Sequence, residues 1–272
     1  MRDGRRYINT SERLELSLGS SYYSAFEASL STMLKSLACL ALLATGALTT
    51  SPGYSFNITP TVTNSSFSFG QHYAVLNLDL IDDLVAMVNT TKVGEIWINN
   101  VATWIDTVHK QTPPPLSIFS RIYYSNIQRP EIGDSPFGSA VAALGNITAS
   151  SPGSQLYPAF KPLDNWDVVV HKARYYAGAG NPLEEILSSQ RIDTVILSGI
   201  RTSGVVLSTA LRLLDLNYNV YVIANNTIES PSTYAPSIQK IILEGILPNL
   251  PVNIITIEQA VSALNSSGPA VY

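Results

Sequence analysis

Three stretches of this chain carry residue types that can move protons or attack a carbonyl: Asp79 in "VLNLDLIDD", Lys172 in "VVVHKARYYAGAG", and the turn "GIRTSGVVLSTA" at 199–210. Each follows or ends an apolar run of strand length. A strand-to-helix turn like the last is where many α/β enzymes hold a nucleophile, yet it has no cysteine, and position 205 is Val205. Thr202 and Ser203 are the nearest hydroxyls, and Ser or Thr at such a turn reads as a helix cap. Neither has a histidine in an obvious relay, and "GIRTSG" does not match the G-x-S-x-G elbow. Arg174 and Arg201 are candidates to hold a carboxylate, because a guanidinium pairs with it bidentately; Arg121 reads as a surface arginine. Tyr175 and Tyr176 are candidates for a pocket wall, or for packing alone.

The elements that must position these residues alternate. Apolar strands are expected at 74–80, in "PPPLSIFSRIYYS", "WDVVVHK", "DTVILSG", "NVYVIAN" and "VNIITI". Helices are expected from Asp82, in "EIWINNVATWIDTVHK", "NPLEEILSSQ", "SGVVLSTALRLLDLN" and "SPSTYAPSIQKIILEGI", with 126–165 irregular. Strands without polar alternation, each followed by a helix, predict a parallel sheet buried on both faces. The expected fold is a three-layer α/β/α, doubly wound, mainly parallel six-stranded sheet, with its crevice at the carboxyl ends of the strands. Asp79, Lys172 and the turn at 199–210 all fall on that edge.

Composition bounds the rest. The 272 residues carry a formal net charge of −4 and no Lys/Arg run, which argues against a nucleic-acid surface. One cysteine, Cys39, is too little for a disulfide framework or a thiolate metal site. His72, His109 and His171 form no cluster with metal-ligand spacing, so neither a metal nor another cofactor is expected. From Met33, a lysine precedes an apolar run from Leu37 to Leu43 and then small residues, the layout of a secretory signal too short to span a bilayer. The expected organisation is an upstream extension at 1–32, a signal peptide at 33–50, an exposed linker at 51–70 and a folded domain at 71–272. From Asn57 onward, six N-x-S/T sequons fit a secreted, extracellular glycoprotein without a membrane span.

The block from Val168 to Ile223 resembles the isochorismatase-like hydrolases, also called cysteine hydrolases. The lysine loop, "IDTVILSGI", "TSGVVLST" and a "D.NY.V.V" strand entry follow that family's order. The resemblance implies a catalytic Asp at Asp79 and Lys at Lys172, with the family's nucleophilic cysteine falling on Val205. It places Ile81 where an amide commonly touches substrate. It also puts a non-proline cis peptide between Ile200 and Arg201. On the same resemblance, the acid that commonly follows the fifth strand is replaced around Asn225 and Asn226. Without a thiol, the branch of the family that cleaves vinyl ethers supplies the expectation. There Asp79 is the general acid, Lys172 orients it, and Arg174, Arg201, Tyr175, Thr202 and Ser203 surround a small anionic substrate, with isochorismate the named candidate. The alternative is a catalytically silent binding or oligomeric scaffold. Family members also imply a homo-oligomer.

Overall fold

The computed structural model describes residues 58–64 and 67–271. The expected extension, the signal peptide with Cys39, and the first part of the expected linker lie outside the described residues.

Six strands form one wholly parallel sheet in the order β3-β2-β1-β4-β5-β6. In chain order, β1 is Tyr73–Leu78, followed by a short α1, Asp82–Ala86, and a long α2, Lys92–His109. Next come β2, Leu116–Ile122, the short α3, Pro136–Ala140, and β3, Val168–Lys172. Then α4, Leu183–Ser189, leads to β4, Thr194–Ile200, and through a π-helical turn, Thr202–Val206, to α5, Leu207–Asp215. The chain ends with β5, Asn219–Ile228, α6, Ala235–Lys240, β6, Asn253–Ile255, and α7, Ile257–Ser267.

Alternation along β1 shows why the sheet needs helices on both faces. Ala74, Leu76 and Leu78 join the apolar cluster with Leu187 of α4 and Leu213 of α5. Tyr73 and Val75 join the other face with Trp104 of α2 and Leu264 of α7. Every residue of β1 is buried, so no polar face is needed and the strand is apolar almost throughout. The strand order reverses between β1 and β4, and in doubly wound sheets the crevice opens at that switch point. Gly199 makes the approach there: it sits at φ 148°, and a Cβ on it would come within 2.2 Å of the Leu78 carbonyl oxygen.

The stretch read as an exposed linker differs from that expectation where it is described. Phe69 is buried and meets Tyr221 edge-on at 5.2 Å, while Phe67 stacks on the same ring at 5.5 Å. The Thr61 N–H donates to the Ile254 carbonyl, and its hydroxyl accepts from the Ile254 N–H, both at 2.9 Å. The Ser/Thr/Pro-rich composition masks a few aromatic anchors that tie this segment to β5 and β6.

Candidate active site

Asp79 leaves β1 at φ 56°, a left-handed conformation that aspartate tolerates better than most residues. Its N–H is held by both the carbonyl and the hydroxyl of Ser120 at the corresponding end of β2, at 3.1 Å each. That bend delivers the carboxylate to the crevice. One oxygen, Oδ1, accepts from the Ser120 hydroxyl at 2.7 Å, and Oδ2 lies 2.6 Å from Lys172 Nζ at the end of β3. Lys172 also donates to the Arg174 carbonyl at 2.7 Å. Asp79 is 4% exposed and Lys172 1%. Burial pushes the Asp79 carboxyl above the ordinary aspartate value, outweighing the Lys172 charge and the hydrogen bonds from Lys172 and Ser120. A carboxyl so placed holds its proton to higher pH than an exposed aspartate.

The third element is the turn after β4. The Ile200–Arg201 peptide is cis, and residues Thr202–Val206 wind as a π-helical turn that turns Val205, 2% exposed, into the same cavity as Asp79 and Lys172. The expectation that Thr202 and Ser203 cap this turn is corrected by the structure. No side chain of the turn makes a cap bond, and the Thr202 hydroxyl is buried without a partner among the described residues. The capping carboxylate comes from Glu229, whose Oε2 accepts from the Ser203 N–H at 2.8 Å. Its Oε1 takes the Arg201 Nε at 2.9 Å and the Ser230 N–H at 3.0 Å. Burial raises the Glu229 carboxyl, but the bonds from Ser203 and Arg201 prevail and hold it below the ordinary glutamate range.

Glu229 also corrects the reading of the fifth strand. The strand does not stop at the asparagines. Asn225 accepts the Ile257 N–H through its side chain at 3.2 Å, and the Asn226 carbonyl accepts from Trp97 Nε1 at 3.0 Å. These bonds keep β5 running to Ile228, and the acid that follows it is Glu229. Asparagine is a poor strand former, so the apolar pattern alone ends the strand at Asn225. The lining Ser230 and Pro231 were missed for the same reason.

The cavity encloses about 370 Å³ between these strand ends and the segment 140–144. Leu84, Met87 and Ile122 line it together with Val141, Leu144 and Tyr175. Arg201 is on its lining, with its side chain 38% exposed. Arg174 is not. Its Nη1 and Nη2 donate to the carbonyls of Ala173 and Glu131, at 2.8 and 2.7 Å, and its guanidinium lies 5.0 Å from the Phe137 ring. It ties down the loop after β3 instead of reaching a ligand. Ile81 is likewise fully buried in the apolar cluster with Leu80 and Trp97, outside the cavity lining. Arg121 spends its guanidinium on the Ser154 and Ala149 carbonyls. Tyr176 turns away from the cavity lining to donate to Glu184 at 2.8 Å. Among the described residues, no group of three or more His, Cys, Asp or Glu could hold a metal, and no helix is long and apolar enough to cross a membrane.

Comparison with known proteins bears on the fold and the family. No curated protein matches the chain. Solved structures do: an isochorismatase family protein from Burkholderia thailandensis superposes with a TM-score of 0.58 at 23% identity, covering 76% of this chain and 98% of that one. A cysteine hydrolase from Pseudomonas syringae pv. phaseolicola gives 0.63 at 16%, covering 72% and 93%. An N-carbamoylsarcosine amidase from Thermoplasma acidophilum gives 0.55 at 17%, covering 68% and 96%. At these identities the likeness is one of fold. The family model described as the isochorismatase domain matches residues 73–242, a span that contains Asp79, Lys172, the turn at Val205 and Glu229. The chain belongs to the isochorismatase family.

Proposed function

We propose that the protein hydrolyses a small enol ether by acid catalysis, with Asp79 as proton donor and no covalent intermediate. The observation that carries this reading is a buried carboxyl, raised by its burial, on the wall of a cavity whose nucleophile position holds valine. Valine cannot attack a carbonyl, so the thiol-dependent amide chemistry of a cysteine hydrolase has no nucleophile here. Protonation of carbon needs none. Asp79 gives its proton to the alkene carbon, leaving an oxocarbenium ion. Water adds to that ion, and the proton it loses returns to the Asp79 carboxylate. The resulting hemiketal collapses to a carbonyl compound and an alcohol. Lys172 and Ser120 fix the carboxyl, and Arg201 at the cavity wall is the cation offered to a carboxylate on the substrate.

Asp79→Asn tests the proposal. The amide keeps the shape and lacks the transferable proton, so turnover of a vinyl ether should fall at least about 10²-fold while the fold survives a thermal melt. Wild-type turnover should also decline as pH rises through the Asp79 pKa, because the protonated acid is the active form. Unchanged turnover with an unchanged melt would remove Asp79 from the reaction. The competing reading, a silent binding scaffold, draws on Val205 and on the packing of Ile81 away from the cavity. A wild-type chain that turns over neither enol ethers nor amides would put the scaffold reading ahead of the enzyme.

A further inference from the structure

The walls of the cavity name the class of substrate more narrowly, an inference that rests on the function just proposed. Its charged groups are nearly all committed. Asp79 and Lys172 face each other at 2.6 Å, and the second oxygen of Asp79 is taken by Ser120. Arg201 gives Nε to Glu229, and among the described residues its Nη atoms bond no acceptor. Arg174, the other expected anion holder, is bound to backbone carbonyls and does not line the cavity. Hydroxyls are equally scarce: only Ser230 and Tyr175 on the lining carry one, and that of Ser230 already donates to Glu229 at 3.2 Å. The remaining surface is aliphatic, from Leu84, Met87 and Ile122 on one element set to Ala143 and Leu144 on another.

We infer that the cavity takes an amphiphilic monocarboxylate: a single carboxylate on the free edge of the Arg201 guanidinium, with an alkyl or aryl enol-ether body against the aliphatic walls. A second carboxylate would find only the Lys172 ammonium, which already bonds the Asp79 carboxyl and the Arg174 carbonyl, and a charge poorly met in this way is costly. A polyol would bury hydroxyls without partners. Isochorismate, with two carboxylates and a hydroxyl, is therefore a poor fit to these walls. The volume of about 370 Å³ lies at the small end of ligand pockets, in keeping with a compact body.

Calorimetric titration of the full chain with octanoate and with octanedioate isolates the inference, because the two probes match in chain length and differ by one carboxylate. Octanoate should bind at least tenfold more tightly. Ala143→Asp should reduce octanoate affinity at least tenfold by placing a charge on the aliphatic wall; Ala143 is exposed, so the thermal melt should hold. Equal or tighter binding of octanedioate, absence of octanoate binding, or indifference to Ala143→Asp would each overturn the assignment. Binding is read without turnover, so the two proposals fail separately. Octanoate preference in a chain that hydrolyses no enol ether removes the reaction and keeps the pocket. Hydrolysis of a dicarboxylated enol ether with octanoate rejected removes the pocket assignment and keeps the reaction.

Discussion

Val205 places two methyl groups where the resemblance puts a thiol, and its neighbours show how much of a cysteine site survives around it. Asp79 and Lys172 remain paired beside it on the cavity lining, but Ile81 packs into the core and offers no amide. Val205→Cys is nearly conservative in volume, so it should fold. The new sulfur would face the cavity beside the Lys172 ammonium, whereas a cysteine at Val206, fully buried, would not. Iodoacetamide should therefore alkylate Val205→Cys faster than Val206→Cys, after subtraction of the parent chain's own Cys39. Amidase activity should stay near background, because the amide that the resemblance puts at Ile81 is still missing. Equal rates at the two positions would mean that Val205 does not face the Asp79–Lys172 pair.

The strands and their carboxyl ends were legible because a doubly covered parallel strand is apolar on both faces, and β1, β4 and the core of β5 obey that rule. Asp79 and Lys172 could be placed on one edge from that pattern alone. The connection from β5 could not, since Asn225 and Asn226 are held in the strand by partners on α2 and α7 that lie far off in sequence. Nor could the commitment of Arg174 or the packing of Ile81, because both depend on contacts with the irregular segment 126–165. Glu229 is the element-scale consequence: it joins the end of β5 to the π-helical turn and to Arg201. Glu229→Gln should lower stability at neutral pH by about 1–3 kcal/mol, the range for hydrogen bonds to a charged group, trimmed by solvent at the exposed Arg201. Because the folded-state pKa of Glu229 is lowered, its contribution is present above the ordinary glutamate value of about 4.3 and is lost as pH falls through its folded value. Denaturant melts should thus show the gap between wild type and variant narrowing below about pH 4. A gap that stays constant with pH would show that the Glu229 charge is not what stabilises the turn.

At the scale of the whole molecule, the sheet face opposite the α4–α5 layer is closed partly by chain that precedes the first strand. Phe67 and Phe69 pack on Tyr221, the Phe69 N–H donates to the Ser267 hydroxyl at 2.8 Å, and the Val271 N–H donates to the Gln71 carbonyl at 2.8 Å. The two ends of the folded unit therefore clasp the same face over β5 and α7. This cluster shares no residue with the cavity lining. Phe69→Ala should then separate stability from function. Truncating a buried phenylalanine costs about 3 kcal/mol or more, which for a domain of roughly 200 residues lowers Tm by about 6–12 °C. Binding of octanoate below the melt should be unchanged, because neither Asp79, Lys172 nor the aliphatic wall touches this cluster. Calorimetric melting and ligand titration on the same variant give both readings. An unmoved Tm would mean that the segment before β1 does not hold this face in solution, and a lost ligand at full stability would mean that the clasp and the cavity are coupled through the sheet.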